Sequence, residues 1–157
     1  MKQSVYIEST VISYLAAKPS RDLIVAAHQQ LTRDWWDVAL PKFDAFISQF
    51  VVNEITEGDP EASQARLKST SSFSLLKMNA EIADLADRYF KAIHIPDKAR
   101  TDAYHLAMAT WHGMDYMVSW NCKHIASARV RSIVEHINAD IDYATPIICT
   151  PEELMEV

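Results

Sequence analysis

Short apolar runs alternate with segments of helical periodicity along almost the whole chain, and this alternation limits the fold more than any single motif does. The runs have the length of buried strands, and the segments between them repeat apolar residues at helical spacing. In a sheet with one face exposed to solvent, apolar and polar residues alternate along each strand. These runs are almost continuously apolar, so we expect strands buried on both faces and an α/β fold. The pattern predicts a three-layer sandwich, with a central, mostly parallel sheet covered by helices on both faces. The expected strands are "SVYI", "FDAFIS", "FSLLKM", "YMVSW" and "TPIICT".

The helical segments carry recognisable start signals. Ser20 is expected to cap a helix that runs until Pro41, and Asn79 to cap a second one. Asp59 and Pro60 suit the cap and first turn of a third. The expected helices are "VISYLAA", residues 20–40, "QFVVNEITE", "EASQARLKST", "AEIADLADRYFKAI", "RTDAYHLAMATWHG", "HIASARVRSIVEHI" and, opened by Pro151, "PEELMEV".

Length and composition narrow the classes of protein. With 157 residues, of which 49% are hydrophobic, we expect a single domain over residues 1–157. No apolar segment has the length of a signal peptide or a membrane span, so we expect a cytoplasmic protein without membrane contact. The net charge of -6 argues against a broad basic surface for nucleic acid, so any such contact must be local. Cys122 and Cys149 lack metal-site spacing; we expect two reduced thiols, although one bond stays open.

Acidic and amide side chains follow the expected strands. Glu8 comes directly after the first run and Asn121 after "YMVSW", while Glu54 and Asp102 lie on helices. Because the carboxyl ends of parallel strands meet at one edge of a sheet, these four side chains can converge there. Clustered carboxylates repel one another unless a cation joins them, and oxygen ligands suit Mg²⁺ or Mn²⁺. The alternative, that Glu54 and Asp102 are ordinary solvated helix residues, stays open.

Four segments in order resemble a known family. "VYIESTVISYL", "VVNEI", "TDAYHLAMA" and "VSWNCKHI" are similar to the corresponding parts of PIN-domain ribonucleases of the VapC type. The resemblance covers nearly the whole chain and rests on the order of the motifs. It implies a PIN-like α/β fold and a ribonuclease that needs Mg²⁺ or Mn²⁺. It also implies the toxin of a type II toxin-antitoxin pair, with RNA as substrate, a cognate antitoxin protein as partner, and a homodimer.

The resemblance also assigns roles to single residues. Glu8, Glu54 and Asp102 match the three acids of the family's metal site, and Thr10 matches a small polar residue that helps hold the metal-water network. Asn121 falls where many members have a fourth aspartate. Glu8 is one methylene longer than the usual aspartate, and Asn121 carries no charge, although its carbonyl oxygen can still ligate a cation. These departures keep a second function open, a catalytically silent PIN-like module that binds RNA or protein.

Several residues near these motifs have two possible roles, one functional and one structural. The basic side chains can contact RNA phosphates or form an ordinary charged surface. His105, one turn after Asp102, can ligate metal, but we favour a packed, hydrogen-bonded histidine. Trp120 can stack on a base, but a wall of the pocket is its commoner role. The candidate phosphate contacts are Lys98, Arg100, Lys123 and His124.

Overall fold

The computed structural model of the chain describes residues 1–155, and in this part five strands form one parallel sheet. The strand order is β3-β2-β1-β4-β5, so the first strand of the sequence lies at the centre. Every neighbouring pair runs parallel, which confirms the expected α/β class. The strands are β1 (Gln3–Ile7), β2 (Phe43–Ser48), β3 (Ser74–Leu76), β4 (Tyr116–Val118) and β5 (Ile147–Cys149).

The helices fall into two groups that cover the sheet. The first group packs α1 against α2, α3 and α4, and the second packs α5 against α6 and α7. The chain moves outward from β1 to β3 and then returns to β4 and β5. Because crossovers between parallel strands are right-handed as a rule, this path puts the two groups on opposite faces of the sheet. The helices are α1 (Ser9–Ala16), α2 (Leu23–Val38), α3 (Gln49–Ile55), α4 (Pro60–Ser69), α5 (Ala80–Ile93), α6 (Arg100–Trp111) and α7 (Ala128–Asp140).

The strand order reverses between β1 and β4, which creates a crevice beyond their carboxyl ends. The chain leaves β1 toward one edge of the sheet, while β4 leads to the other. Glu8 follows β1 directly and donates its backbone N–H to Val118 O of β4 at 3.1 Å. Such reversal points are where open parallel sheets bind ligands. The residues that follow β1 and β4 are therefore placed for function.

The helix caps agree with the sequence in most places. Asn79 and Asp59 cap α5 and α4 as expected, each accepting a backbone N–H three residues on. The expected cap Ser20 is wrong, because Asp22 takes that role by accepting the Val25 N–H at 2.9 Å. Ser20 instead accepts the Asp22 N–H with its hydroxyl at 3.1 Å, which shapes the approach to the helix.

The expected helix at the carboxyl terminus is also wrong over its described part. Residues 151–154 form turns, and 156–157 of the expected helix lie outside the described residues. Thr150 and Glu153 close one such turn by exchanging side-chain and backbone hydrogen bonds. Leu154 then packs into the core, and a single turn is too short to propagate a helix.

The described residues contain no helix with the length and apolarity needed to cross a membrane.

Candidate metal centre

Glu8 is a carboxylate surrounded by hydrogen-bond donors at the reversal point of the sheet. Its backbone is extended, and its side chain caps α1 by accepting the Thr10 N–H at 3.2 Å. Three hydroxyls also donate to it, from Ser9 at 2.8 Å, from Thr10 at 2.5 Å and from Ser119 at 2.5 Å. The side chain is buried, so this ring of donors fixes the position and direction of the carboxylate.

Glu54 on α3 meets His105 on α6 beside Glu8. Its Oε1 lies 2.5 Å from His105 Nε2 and accepts the Ser9 hydroxyl at 2.8 Å. The other ring nitrogen of His105 lies 2.6 Å from the Tyr6 hydroxyl, which contacts the Ser48 hydroxyl at 2.8 Å. His105 is fully buried. The expectation of a packed, hydrogen-bonded histidine is therefore confirmed, and its Nε2 also faces the carboxylates.

The pKa values of the pair shift in opposite directions. Burial alone would raise the pKa of Glu54, but the hydrogen bond and charge of His105, with the Ser9 hydroxyl, bring it below the ordinary value. Burial alone would lower the pKa of His105, but the hydrogen bond and charge of Glu54 outweigh it and raise the pKa. The charges of Glu8 and Asp102 add to this rise. Both shifts favour the ionised pair.

Ligand atoms of Glu8, Glu54 and His105 all lie within 4.8 Å of one another, so this group can hold a metal ion. The position of Ser9 gives independent support for a cation between the Glu8 and Glu54 carboxylates. Its hydroxyl oxygen is 2.8 Å from Glu8 Oε2 and also from Glu54 Oε1. A hydroxyl has one proton and can donate to only one of them at a time, so the second carboxylate oxygen lacks that donor. A cation between the two carboxylates would supply the missing positive charge.

Asp102 lies beside this group but is not a member of it. It precedes His105 by nearly one turn on α6, and its carboxylate is bonded to His124 Nδ1 at 2.8 Å. The structure therefore brings Glu8, Glu54 and His105 together. It places the third expected acid in a hydrogen bond with His124, close enough for its charge to act on His105.

Asn121 organises the turn after β4. Its side-chain oxygen accepts the His124 N–H at 3.0 Å, and its backbone oxygen accepts the N–H groups of Ile125 and Ala126. Its own N–H donates to the Ser119 hydroxyl at 2.9 Å. Two hydrogen bonds through the Ser119 hydroxyl thus connect the Asn121 backbone to Glu8, and the role of Asn121 as a ligand stays a prediction.

Thr10 and the candidate phosphate contacts occupy different surroundings. Thr10 Oγ1 bridges Glu8 to the Trp120 N–H, as a residue that supports the site would. Arg100 stacks its guanidinium on the Phe90 ring at 3.9 Å, which directs it toward α5. His124 is held by Asp102, whereas two lysines are exposed. Contact of any of them with RNA stays a prediction; the exposed pair is Lys98 and Lys123.

Comparison with the models of known protein families and with curated proteins gives no match for this chain. Its function is therefore argued from the arrangement of its own side chains. That arrangement is a cluster of two carboxylates and one imidazole at the reversal point of a parallel sheet, with Glu8 and His105 buried and Glu54 partly exposed. Such a combination is suited to binding a divalent cation.

Proposed function

We propose that the protein is a divalent-metal-dependent endoribonuclease with a PIN-like architecture, in which Glu8, Glu54 and His105 hold the ion. The observation that carries the proposal is the closeness of their ligand atoms, all within 4.8 Å of one another. Three protein ligands leave positions open for water and a phosphate oxygen, as hydrolysis of a phosphodiester requires. Asp102 and Asn121 lie at the border of the site, where they would bind the ion indirectly or join it after a side-chain rotation.

The chain's own residues would act by fixing the ligands. Ser119 and Thr10 hold the Glu8 carboxylate, and Tyr6 holds His105 Nδ1 so that Nε2 faces the acids. Bound Mg²⁺ or Mn²⁺ would lower the pKa of a water nucleophile and neutralise charge on the phosphate. Carboxylates suit both ions, but an imidazole ligand favours the transition metal, so we propose Mn²⁺ as the better fit.

The biological role is proposed on the resemblance of the ordered motifs. We infer that the protein is the toxin of a type II toxin-antitoxin pair, that it cuts RNA in the cytoplasm, and that it acts as a homodimer silenced by a cognate antitoxin. The exposed Lys98 and Lys123 would serve as local phosphate contacts on a chain whose net charge is -6.

One observation favours the second candidate, a catalytically silent PIN-like module that binds RNA or protein. Glu8 accepts hydrogen bonds from the Thr10 N–H and from the hydroxyls of Thr10 and Ser119, it shares the Ser9 hydroxyl with Glu54, and Glu54 is paired with His105. The acids are therefore largely compensated by protein groups. In this alternative, His105 takes the place of the cation, and the cluster serves to join α1, α3 and α6.

Calorimetric titration of Mn²⁺ combined with cleavage of a mixed RNA pool separates the two candidates. The ribonuclease proposal expects Mn²⁺ heat and cleavage in the wild type, and loss of both in Glu54→Gln. Glu81→Gln, which changes an exposed acid on α5, is the matched control and should behave as wild type. Absence of Mn²⁺ heat, or cleavage that survives Glu54→Gln, would reject the nuclease.

Asp102→Asn tests whether the third acid joins the ion. If Asp102 becomes a ligand, most of the Mn²⁺ heat disappears in this variant. If Asp102 only orients His124, Mn²⁺ binding stays within a few fold of wild type.

A further inference from the structure

Three aromatic rings lie together next to the candidate metal centre, and we call them the aromatic cluster: Tyr14, His28 and Trp120. His28 stacks on Trp120 with centroids 4.1 Å apart and planes 12° apart. Tyr14 lies 6.2 Å from each of the other two rings, at interplanar angles of 26° and 30°. The three planes thus lie within about 30° of one another, and His28 covers one face of Trp120.

One ring of the aromatic cluster is buried, and the other two are partly exposed. Trp120 is 8% exposed, and its indole N–H donates to the Thr32 hydroxyl at 2.7 Å. His28 and Tyr14 are only half-buried. Within residues 1–155, neither the ring nitrogens of His28 nor the Tyr14 hydroxyl has a hydrogen-bond partner, so packing alone places these rings. A near-parallel ring set with two partly accessible members is suited to stacking another flat ring.

The cluster lies next to the candidate metal centre, through the backbone of Trp120 and the position of Tyr14 on α1. The Trp120 N–H donates to Thr10 Oγ1 at 2.9 Å, and that hydroxyl donates to Glu8 at 2.5 Å. Tyr14 follows Thr10 by about one turn on α1. A flat ligand on these rings would therefore lie beside any group bound at Glu8.

We propose that the aromatic cluster is a nucleobase subsite for single-stranded RNA, with one base stacked on the outer side of His28 and Tyr14. The inference rests on the proposed ribonuclease function for the adjoining phosphate. A base is the flat part of that substrate, and stacking does not require positive charge. This suits a chain whose net charge of -6 argues against a broad basic surface for RNA. The subsite tolerates different bases, because every base has a π-face.

Fluorescence anisotropy with a labelled single-stranded octaribonucleotide tests the subsite, with Ca²⁺ replacing Mn²⁺ to slow cleavage. His28→Ala should weaken binding by at least about fivefold, the lower end of the effect of one base–aromatic stack. His28→Phe, which keeps a flat ring, should retain binding. His136→Ala is the matched control, because His136 is exposed on α7 and bonds only to the Ser132 carbonyl of its own helix.

A second set of oligonucleotides, each lacking one base, separates stacking from indirect effects. Wild type and His28→Ala should bind alike when the stacked base is missing. Equal affinity of His28→Ala and wild type for the complete oligonucleotide would overturn the subsite, as would a loss that persists with every base-deleted oligonucleotide. Thermal melting checks that the variant is folded, and Tyr14→Leu takes its place if His28→Ala is not.

The subsite and the nuclease fail in different ways. Base-dependent binding without Mn²⁺-dependent cleavage would leave the subsite standing and reject the nuclease. If His28→Ala and Tyr14→Leu bind RNA with wild-type affinity and cleave it at the wild-type rate, the subsite alone is rejected. No binding of the complete oligonucleotide by wild type would overturn the subsite whatever the metal titration gives.

Discussion

His105 Nε2 lies 2.5 Å from Glu54 Oε1, and this contact joins α6 to α3 at the centre of the candidate site. The same nitrogen belongs to the group of atoms that can hold a metal ion. A ring nitrogen that carries a proton cannot ligate a cation, so the hydrogen bond and the ion compete for one position. The predictions on pH follow from this competition.

In the metal-free protein, we expect the pair to stabilise the fold most between about pH 4.5 and 6.5, the ordinary pKa values of its members. The lowered pKa of Glu54 contributes stability above 4.5 that is lost as pH falls through its folded pKa. The raised pKa of His105 contributes stability below 6.5 that is lost as pH rises through its folded pKa. Urea unfolding of wild type and Glu54→Gln across pH measures the difference; a difference that grows above pH 8 would contradict the assignment.

Mn²⁺ binding should show the opposite trend with pH. Below the raised pKa of His105, binding has to release a proton, so the affinity should rise about tenfold per pH unit and then level off. Calorimetry in buffers of different ionisation enthalpy counts the released protons. His105→Gln should bind more weakly and lose this slope. An unchanged slope in that variant would assign the proton to another group.

Ser119→Ala should destabilise the fold and loosen the site together. The Ser119 hydroxyl is fully buried, donates to Glu8 at 2.5 Å and accepts the Asn121 N–H at 2.9 Å. Its removal leaves the Asn121 N–H without this acceptor and Glu8 Oε1 with the Thr10 hydroxyl as its remaining donor, at a cost of about 1–3 kcal/mol. Chemical denaturation measures the loss, and Ser132→Ala on the exposed side of α7 is the control. Equal stability of the two variants would show that the hydroxyl contributes little.

Asn121→Asp should keep the turn and add charge near the site. An aspartate can accept the His124 N–H that the amide oxygen accepts now, so the fold should hold, whereas Asn121→Ala should lose about 1 kcal/mol. If a cation binds at Glu8 and Glu54, the fourth carboxylate should tighten Mn²⁺ binding. In a site without a cation, it would instead lower stability near neutral pH by repulsion. Calorimetry and thermal melting distinguish the two results.

The two cysteines should react at very different rates. Cys122 is exposed, whereas burial raises the pKa of Cys149 to about 12, with a further rise from Glu153. Because the thiolate is the reactive form, a disulfide reagent at pH 8 should modify one thiol quickly and the second only after unfolding. Cys122→Ser should abolish the fast phase. Two fast thiols in the native protein would place Cys149 in a more open position.

The elements of the fold were predictable because their signals are local. Apolar runs marked the five strands, and Asp59 and Asn79 marked helix starts by side chains that reach their own backbone. Ser20 and Asp22 carry the same type of signal two residues apart, and which of them caps α2 depends on the path of the incoming chain. The turn at residues 151–154 has helical composition but only one turn of length.

The sequence pointed to two members of the candidate metal group, Glu8 and Glu54, but favoured a packed role for the third, His105. Glu8 follows a strand, so its place at the carboxyl edge follows from topology. His105 lies among apolar neighbours on α6, and its sequence position does not reveal that it points at Glu54 across the fold. The pairing of Asp102 with His124 likewise depends on the turn after β4. Such contacts join elements far apart in sequence, where periodicity carries no information.

The central position of β1 has a consequence for synthesis on the ribosome. Glu8 is made before its donor Ser119, which comes 111 residues later in the chain. β1 also cannot pair with β4 until that part of the chain has emerged. Contacts of such separation form slowly, because closing a long loop is unfavourable in entropy. The nascent chain therefore exposes the Glu8 carboxylate without its Ser119 donor until β4 has emerged, and the centre can assemble only after that point.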